Sequence, residues 1–318
     1  MKLFQKLFKY RYYLVIILVG VFYFNQIFIN LNKILASIDI LYVFSPNKLF
    51  LTETIKNYHE LPLWNNLFFS GAPFLANPTS GLFYPLNYLF FLSKPEFIFG
   101  YLFVIDVVLI GIFTFMYSKS IKLTQSASLL SAIIFMLSGS VITRVYPGHL
   151  FIVDAIVWFP LTLYFLEKVF ETKKIIYCFA ASISISLMFF AGHTQITFYS
   201  LLIISLYFLF RTLFEYKNNK SAKNLLSYFK LFLLIIITFV GLSAIQLLPT
   251  LEFSRLLTRS EGISLEFASN FSLHPYQLIT FILPTFYGTN INNTFWGIGN
   301  IWETAGYLGV ISLIFASL

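Results

Sequence analysis

Residues 97–117 read FIFGYLFVIDVVLIGIFTFMY, and this stretch decides the class of fold. It contains one charged residue, Asp106, and is long enough for a helix to cross the roughly 30 Å hydrocarbon core of a bilayer. Lipid offers no water to the backbone, so a crossing segment must satisfy its amides internally, as a helix does. The stretch therefore predicts a membrane-spanning helix with a carboxyl group near its middle.

Similar apolar runs recur along the rest of the chain. They lie at about 12–31, 125–146, 151–170, 175–192, 195–213 and 229–250, and an eighth run begins near Ala305 and stops at Leu318. We predict an all-α polytopic membrane protein with about eight transmembrane helices, the last of them truncated. Residues 1–318 are expected to form a single transmembrane domain, as the N-terminal part of a longer protein.

The composition agrees with a membrane protein. Hydrophobic residues make up 58% of the chain and charged residues only 11%, whereas soluble domains carry about 25% charged residues. The net charge of +8 does not indicate nucleic acid as a partner, because the basic residues lie in short segments between apolar runs. The single cysteine, Cys178, excludes a disulfide within the chain.

The distribution of positive charge predicts the orientation. If the N-terminus is inside, the inner segments hold 14 of the 21 Lys and Arg residues, in groups of four, two, three and five. The positive-inside rule favours this topology. The basic N-terminus and the run at 12–31 are interpreted as a retained first helix rather than a cleaved signal peptide.

This topology gives two large outer loops, at about 32–96 and 251–304, which collect Pro, Gly, Asn and aromatic residues. A transporter more often has short loops and broken helices around a midplane site. Functional chemistry is therefore expected at the outer face. Within the first loop, Lys48–Tyr58 is predicted to form an amphipathic helix on the outer surface.

Asp39 follows the first run and falls at the outer membrane surface. A carboxylate there can act as a general base toward an acceptor hydroxyl, or hold a divalent metal. The alternative is a solvated loop residue.

The segment from Glu60 to Asn87 combines rings and amides. Trp64 and Tyr84 supply stacking faces, and Asn65 and Asn77 supply paired donors and acceptors. This mixture suits a sugar or a headgroup, which has an apolar face and polar edges. The alternative is an ordered loop packed on the bundle.

Arg144, His149 and His193 are predicted to cluster at the outer surface, where Gly148–His149 and Gly192–His193 repeat one dipeptide. Arg and His can neutralise a phosphate. Each histidine alone could instead cap or pack a helix. The chain has no HExxH motif, so a histidine zinc site is not expected.

Further charged residues lie in or beside the spans. Asp154, near the outer end of its run, can face an outer cavity, and Asp106 is expected to pair with a neighbour or to be protonated. The remaining candidates belong to the second loop: Glu252, Arg255, Arg259 and Glu303.

The chain resembles the bacterial YfhO family of membrane proteins over nearly its whole length. The resemblance rests on LPLWNNLFFSGAPFLANPTSGLFYPLN (61–87), PGHLFIVDAIVWFPL (147–161), AGHTQITFY (191–199), AIQLLPTLEFS (244–254) and WGIGNIWETAGYLGV (296–310). It implies a GT-C-like helix bundle in the bacterial cytoplasmic membrane, which uses polyprenyl-phosphate sugars on the outer face. Some members are linked to glycosylation of envelope polymers such as lipoteichoic acid.

The resemblance also implies that Asp39 is the catalytic carboxylate of the first outer loop. His149 and His193 match the family's Gly-His motifs without a definite role. The expected partners are membrane lipid, a lipid-linked sugar, and an envelope polymer or glycolipid acceptor.

These residues are compatible with three functions. The first is a glycosyltransferase in which Asp39 is the base and the donor phosphate sits near Arg144, His149 or Arg255. The second is a transporter or flippase for lipid-linked glycans, in which Asp106 relays protons or ions. The third is a non-catalytic scaffold for envelope assembly. A divalent metal is left open as a cofactor.

Overall fold

The structure is a computed structural model that describes residues 10–30, 34–68, 70–257, 262–270, 272–290 and 292–317. Arg259 lies outside these residues. Regular structure in the described part is almost entirely helical. Its α-helices are α1 (Arg11–Tyr23), α2 (Asn25–Ile29), α3 (Ser45–Tyr58), α4 (Pro95–Ser120), α5 (Gln125–Met136), α6 (Gly139–Ile142), α7 (Leu150–Thr172), α8 (Ile175–Phe190), α9 (Thr194–Asn219), α10 (Ala222–Ser254), α11 (Leu265–Ser269), α12 (Ile301–Thr304) and α13 (Val310–Ser317).

Five helical stretches of the described chain are long and apolar enough to cross a membrane. They are Pro95–Ser120, Gln125–Val145, Leu150–Thr172, Thr194–Asn218 and Ala222–Ser254. The prediction of a mainly helical protein with several membrane-spanning helices is thereby confirmed.

The predicted count of eight spans is not confirmed. The run at 12–31 breaks at Phe24, where the Asn25 side chain donates to the Phe22 carbonyl and competes with the helical bonding pattern. The run at 175–192 yields the 16-residue α8, which ends before Gly192. The last run contributes the eight residues of α13 to the described chain.

The helices α4 and α7 lie at the centre of the bundle. Each has most of its spanning residues buried, whereas α5, α9 and α10 have most of theirs partly buried or exposed. One apolar core surrounds α4 and includes Phe103 and Val107, and a second joins α7 to α8, α9 and α10. The exposed apolar faces of the outer helices suit contact with lipid.

Short turns reverse the chain between neighbouring helices. Lys173 after α7 and Lys220 after α9 adopt the left-handed conformation that ends a helix. Thr124 and Ser221 then start α5 and α10 by accepting hydrogen bonds from backbone amides of the first turn.

Two long stretches interrupt this pattern. We call residues 30–94 the first connection and residues 255–309 the second connection. The first connection holds a π-helical turn (Ile40–Phe44), α3, and a hairpin in which β1 (Trp64–Asn65) pairs antiparallel with β2 (Ala72–Pro73). A small core of Leu51, Phe74 and Leu82 packs α3 on the segment that follows the hairpin.

The first connection is tied to the end of α10. Gln246 donates from its amide nitrogen to the Leu75 carbonyl, and Thr250 donates to the Ala76 carbonyl at 3.0 Å. The prediction of a helix over Lys48–Tyr58 is confirmed by α3, although Lys48 itself is buried.

Candidate active site

Asp39 and His149 form the centre of a polar cluster at one end of the bundle. The His149 Nε2 and Asp39 Oδ2 atoms are 3.0 Å apart, although the residues are 110 positions apart in sequence. Ser37 holds the two residues close to each other, because its hydroxyl donates to the Pro147 carbonyl at 2.7 Å and accepts from the Ile40 amide at 3.1 Å. The turn that carries Asp39 is therefore fastened to the turn that carries His149.

The glycine of each Gly-His pair allows this close approach. Gly148 has φ +82°, and a Cβ atom there would lie 2.4 Å from Ile40 Cγ1 and 2.5 Å from the Ser37 hydroxyl. Gly192 has φ +97°, and a Cβ atom there would lie 2.5 Å from the Pro78 carbonyl oxygen. At both positions the first connection packs against a helix end where a side chain has no room.

The Asp39–His149 contact is a hydrogen bond to a neutral imidazole. Burial lowers the pKa of His149 from its usual 6.5, and the Asp39 hydrogen bond opposes this shift. A distance of 3.0 Å would also fit an ion pair, but the lowered pKa leaves the ring uncharged near pH 7. The Nε2–H group therefore donates to Asp39 Oδ2.

Exposure distinguishes the roles of the two side chains. The Asp39 side chain is 42% exposed, whereas the His149 side chain is 16% exposed. The His149 Nδ1 atom is buried and has no partner among the described residues. Asp39 is therefore accessible to a substrate, and His149 contacts it from the buried side.

Arg144 and Glu303 extend the cluster. The guanidinium of Arg144 donates to both carboxylate oxygens of Glu303, at 3.1 and 3.3 Å, a paired geometry that fixes its orientation. The Arg144 carbonyl accepts from the His149 amide at 2.9 Å, so both residues belong to one turn. Glu303 brings the second connection to the same end of the bundle as Asp39.

A cavity of about 370 Å³ opens beside Asp39. The Tyr146 and Trp302 rings on its wall lie 6.0 Å apart, and Trp302 also meets His149 edge-on at 6.1 Å. Aromatic faces beside a free carboxylate oxygen suit a ring with an apolar face and hydroxyl edges. The lining residues are Ala36, Ser37, Ile38, Asp39, Tyr146, Pro147 and Trp302.

His193 lies beside this cluster and caps a helix. Its Nδ1 atom accepts from the Ile196 amide at 3.0 Å, and its ring stacks on Phe151, with centroids 5.2 Å apart. Burial lowers the pKa of His193 to about 4, with the Arg144 charge as the next cause. The ring is neutral near pH 7, so it contributes shape and a helix cap rather than positive charge.

Four residues of the first connection that were predicted to contact substrate make structural contacts instead. Asn65 accepts from the Leu67 amide and Asn77 from the Thr79 amide, so both side chains shape turns. The buried Tyr84 accepts from the Trp158 ring nitrogen at 3.2 Å. Trp64 is exposed and lies against Gly71, which has φ +116°.

The other predicted residues lie apart from the cavity. Asp154 is buried inside the bundle. Glu252 and Arg255 are exposed at the end of α10, and no described contact joins them to Asp39. Among the predicted residues the structure thus brings together Asp39, Arg144, His149 and Glu303, with His193 adjacent.

Three residues of the cavity were not singled out from sequence. Ser37 precedes Asp39 by two positions, Tyr146 follows Arg144 by two positions, and Trp302 directly precedes Glu303. Trp302 lies within the WETAGY stretch, where an aromatic residue directly before Glu303 was the available signal.

The described residues do not supply a complete metal site. Among them, no three His, Cys, Asp or Glu side chains converge as ligands. Asp39 offers one oxygen that His149 does not occupy, whereas Mg²⁺ prefers about six oxygen ligands. A divalent ion at Asp39 would depend mainly on water and substrate oxygens.

The fold and the cluster define a class: a polytopic helical membrane protein with a polar, aromatic-walled site at one end of its bundle. A family model described as "Bacterial membrane protein YfhO" matches residues 11–318. The chain therefore belongs to the YfhO family, as its sequence motifs predicted. Comparison with curated proteins and with solved structures finds no match.

Proposed function

We propose that this protein is a glycosyltransferase of the GT-C type. It moves a sugar from a polyprenyl-phosphate donor to a cell-envelope acceptor, on the outer face of the bacterial cytoplasmic membrane, with its N-terminus inside. The observation that carries the proposal is the Asp39–His149 pair, which presents a partly exposed carboxylate to an aromatic-walled cavity. Membership in the YfhO family supports the membrane setting.

In the proposed reaction Asp39 is the general base. His149 occupies Oδ2, so Oδ1 takes the proton from the acceptor hydroxyl. The acceptor oxygen then bonds to the anomeric carbon, and the bond from that carbon to the phosphate oxygen breaks. The electron pair leaves with the polyprenyl phosphate, which is a good leaving group without protonation.

The guanidinium of Arg144 supports a phosphate donor. Arg144 lies on the same turn as His149 and is oriented by Glu303. In the proposal its charge favours the departing phosphate, because preorganised charge stabilises a developing anion strongly in a partly dry site. Arg255, exposed at the end of α10, is a second cation for the donor to meet on its way.

The cavity walls support a sugar ring as the transferred group. Tyr146 and Trp302 supply apolar faces, and Asp39 supplies a polar edge. The hydrocarbon tail of the donor would remain in the lipid beside the bundle. The acceptor would be an envelope polymer or glycolipid that approaches along the same face.

A second candidate, a transporter for lipid-linked glycans, is favoured by one observation. Asp106 is fully buried in the central helix α4, and neither of its carboxyl oxygens has a hydrogen-bond partner among the described residues. Carboxyl groups in such positions often mark ion or proton pathways.

Reconstitution separates these candidates. The full-length protein would be placed in vesicles with a labelled polyprenyl-phosphate sugar and a glycolipid acceptor. We expect label on the acceptor through a new glycosidic bond. Movement of intact donor across the bilayer, with no new bond, would contradict the transferase and support the transporter.

A further inference from the structure

Three ionisable side chains lie buried together, away from the cavity beside Asp39. Lys48 of α3 is 6% exposed, Asp154 of α7 is 3% exposed, and Asp106 of α4 is fully buried. Burial of an ion costs several kcal/mol unless an opposite charge or a proton balances it. The charges of this group must therefore balance within the group.

Lys48 supplies one positive charge. Its ammonium donates to the Ser80 carbonyl at 2.9 Å and lies 5.9 Å from the Phe90 ring centroid. Burial lowers the pKa of Lys48 to about 8, and the charge of Asp154 opposes this shift. The amine is therefore mainly charged at pH 7, and it balances one carboxylate.

Asp154 is the carboxylate that faces Lys48. Both residues line a cavity of about 10 Å³, which has room for roughly one water molecule. Asn87 and Thr79 line the same space and belong to the first connection. Lys48 and Asp154 thus balance each other across the contact between the first connection and α7.

Asp106 adds a second carboxyl group. It lies within hydrogen-bonding reach of Asp154, and Tyr84 is the other titratable group that faces the pair. Neither oxygen of Asp106, nor Asp154 Oδ1, accepts a hydrogen bond from an amide, hydroxyl or ammonium donor of the described residues. Two adjacent buried carboxylates cannot both be ionised at low cost, so one of them must carry a proton.

We propose that Lys48, Asp106 and Asp154 form a buried proton-binding site that holds one proton between its two carboxyl groups. The Lys48 charge favours ionised Asp154, so the proton resides on Asp106, which donates to Asp154. One ammonium, one carboxylate and one carboxylic acid give zero net charge.

The ligand of this site is a proton rather than a metal ion. The cavity at Asp154 is too small for a hydrated cation, and the described residues contain no cluster of three acidic, His or Cys ligands. The site also anchors the first connection, because Lys48 holds the Ser80 carbonyl and Asn87 donates to the neighbouring Gly81 carbonyl at 2.8 Å. Its function does not depend on sugar transfer.

Infrared spectroscopy of the purified full-length protein at neutral pH tests the site. Wild type should show the C=O stretching band of a buried protonated carboxyl group, shifted in heavy water. Asp106→Asn should remove that band. Glu53→Gln, which alters an exposed carboxylate on the same helix as Lys48, should retain it. No such band in wild type, or an unchanged band in Asp106→Asn, would overturn the proposal.

Lys48→Met gives a second measurement that does not depend on how well Asp106→Asn folds. Without the ammonium, both carboxyl groups should be protonated, and the area of the C=O band should double. Lys48→Met combined with Asp154→Asn should return the band to the area of a single carboxyl group. A band of unchanged area in folded Lys48→Met would show that Lys48 is not the balancing charge, and the proposal would fail.

Discussion

At the residue scale, the central feature is the Asp39 carboxylate, of which one oxygen contacts His149 and the other does not. His149 holds Asp39 Oδ2 from the buried side, and the other oxygen remains for a substrate hydroxyl. Neutral imidazole suits this positioning role, because it supplies a donor without withdrawing the negative charge that a base needs. In the proposed reaction His149 thus acts through Asp39 and does not itself take the acceptor proton.

Substitution of His149 tests this division of roles. His149→Ala should lower the transfer rate about ten- to a hundredfold, the size expected for loss of one hydrogen bond to a charged group. His149→Gln should recover much of the loss, because its amide nitrogen can donate near the position of Nε2. Equal losses in the Ala and Gln variants, at equal expression, would show that the ring itself does the chemistry.

The partly buried His193 predicts an acid-sensitive step in stability. With a folded pKa of about 4 and an unfolded pKa near 6.5, the unfolded chain binds the proton first as the pH falls. The contribution of neutral His193 is complete above about pH 6.5 and is lost as the pH falls toward 4. We expect about 1–2 kcal/mol, reduced for partial exposure.

His193→Asn should flatten the pH dependence over that range while keeping the helix cap, because Asn is a good N-cap residue. The measurement is thermal unfolding in detergent between pH 4 and 7. His59→Asn is the matched control, since His59 is exposed and its φ of 56° suits Asn. An identical pH slope in His193→Asn and wild type would contradict the assignment.

At the scale of elements, the two Gly-His turns join the first connection to the bundle. In each turn the glycine permits close contact with the first connection and the histidine begins the next helix. The repeated dipeptide predicted a shared position at helix ends. It did not predict that residues 37–40 and 78–79 pack on the glycines, because that contact depends on how the first connection folds back.

Gly192→Ala should destabilise the protein by about 1–3 kcal/mol through its positive φ, with a further cost from contact with the Pro78 carbonyl. Gly241→Ala is the matched control, since open space surrounds Gly241 within α10. That change should be neutral or stabilising by up to about 1 kcal/mol. Thermal unfolding measures the stability of both variants. Similar effects of the two changes would contradict the proposed role of Gly192.

The sequence predicted elements better than their contacts. Long apolar runs indicated the five spanning helices, and the amphipathic pattern of Lys48–Tyr58 indicated α3. Lys48 was expected at a surface, yet it is buried because Ser80 and Asp154 meet it from distant parts of the chain. Asp39 and His149 were singled out separately, and spacing could not pair residues 110 positions apart.

At the scale of the whole molecule, contacts with the turn at residues 144–149 place the two long connections at one end of the bundle. Asp39 meets His149, Arg144 meets Glu303, and the Tyr146 hydroxyl donates to the Asn290 carbonyl. This agreement supports the topology predicted from positive charge, in which both connections are outside. The face of the membrane on which they lie remains a prediction.

Cysteine labelling tests that orientation. The only natural cysteine, Cys178, is buried, so background labelling should be low. Leu67→Cys and Trp296→Cys should react with a membrane-impermeant maleimide in intact cells, because both positions are exposed in the two connections. Lys217→Cys, exposed at the end of α9, should react only after permeabilisation. The reverse pattern would invert the topology and move the site inside.

The most direct test of the central claim is the single-turnover rate of sugar transfer by full-length Asp39→Asn with bound donor. Glu60→Gln, an exposed carboxylate elsewhere in the first connection, is the control. We predict a loss of about 10²- to 10⁴-fold for Asp39→Asn, the range for a general base, with donor binding retained and the control unchanged. A rate equal to that of wild type would contradict the assignment of Asp39 as the catalytic base.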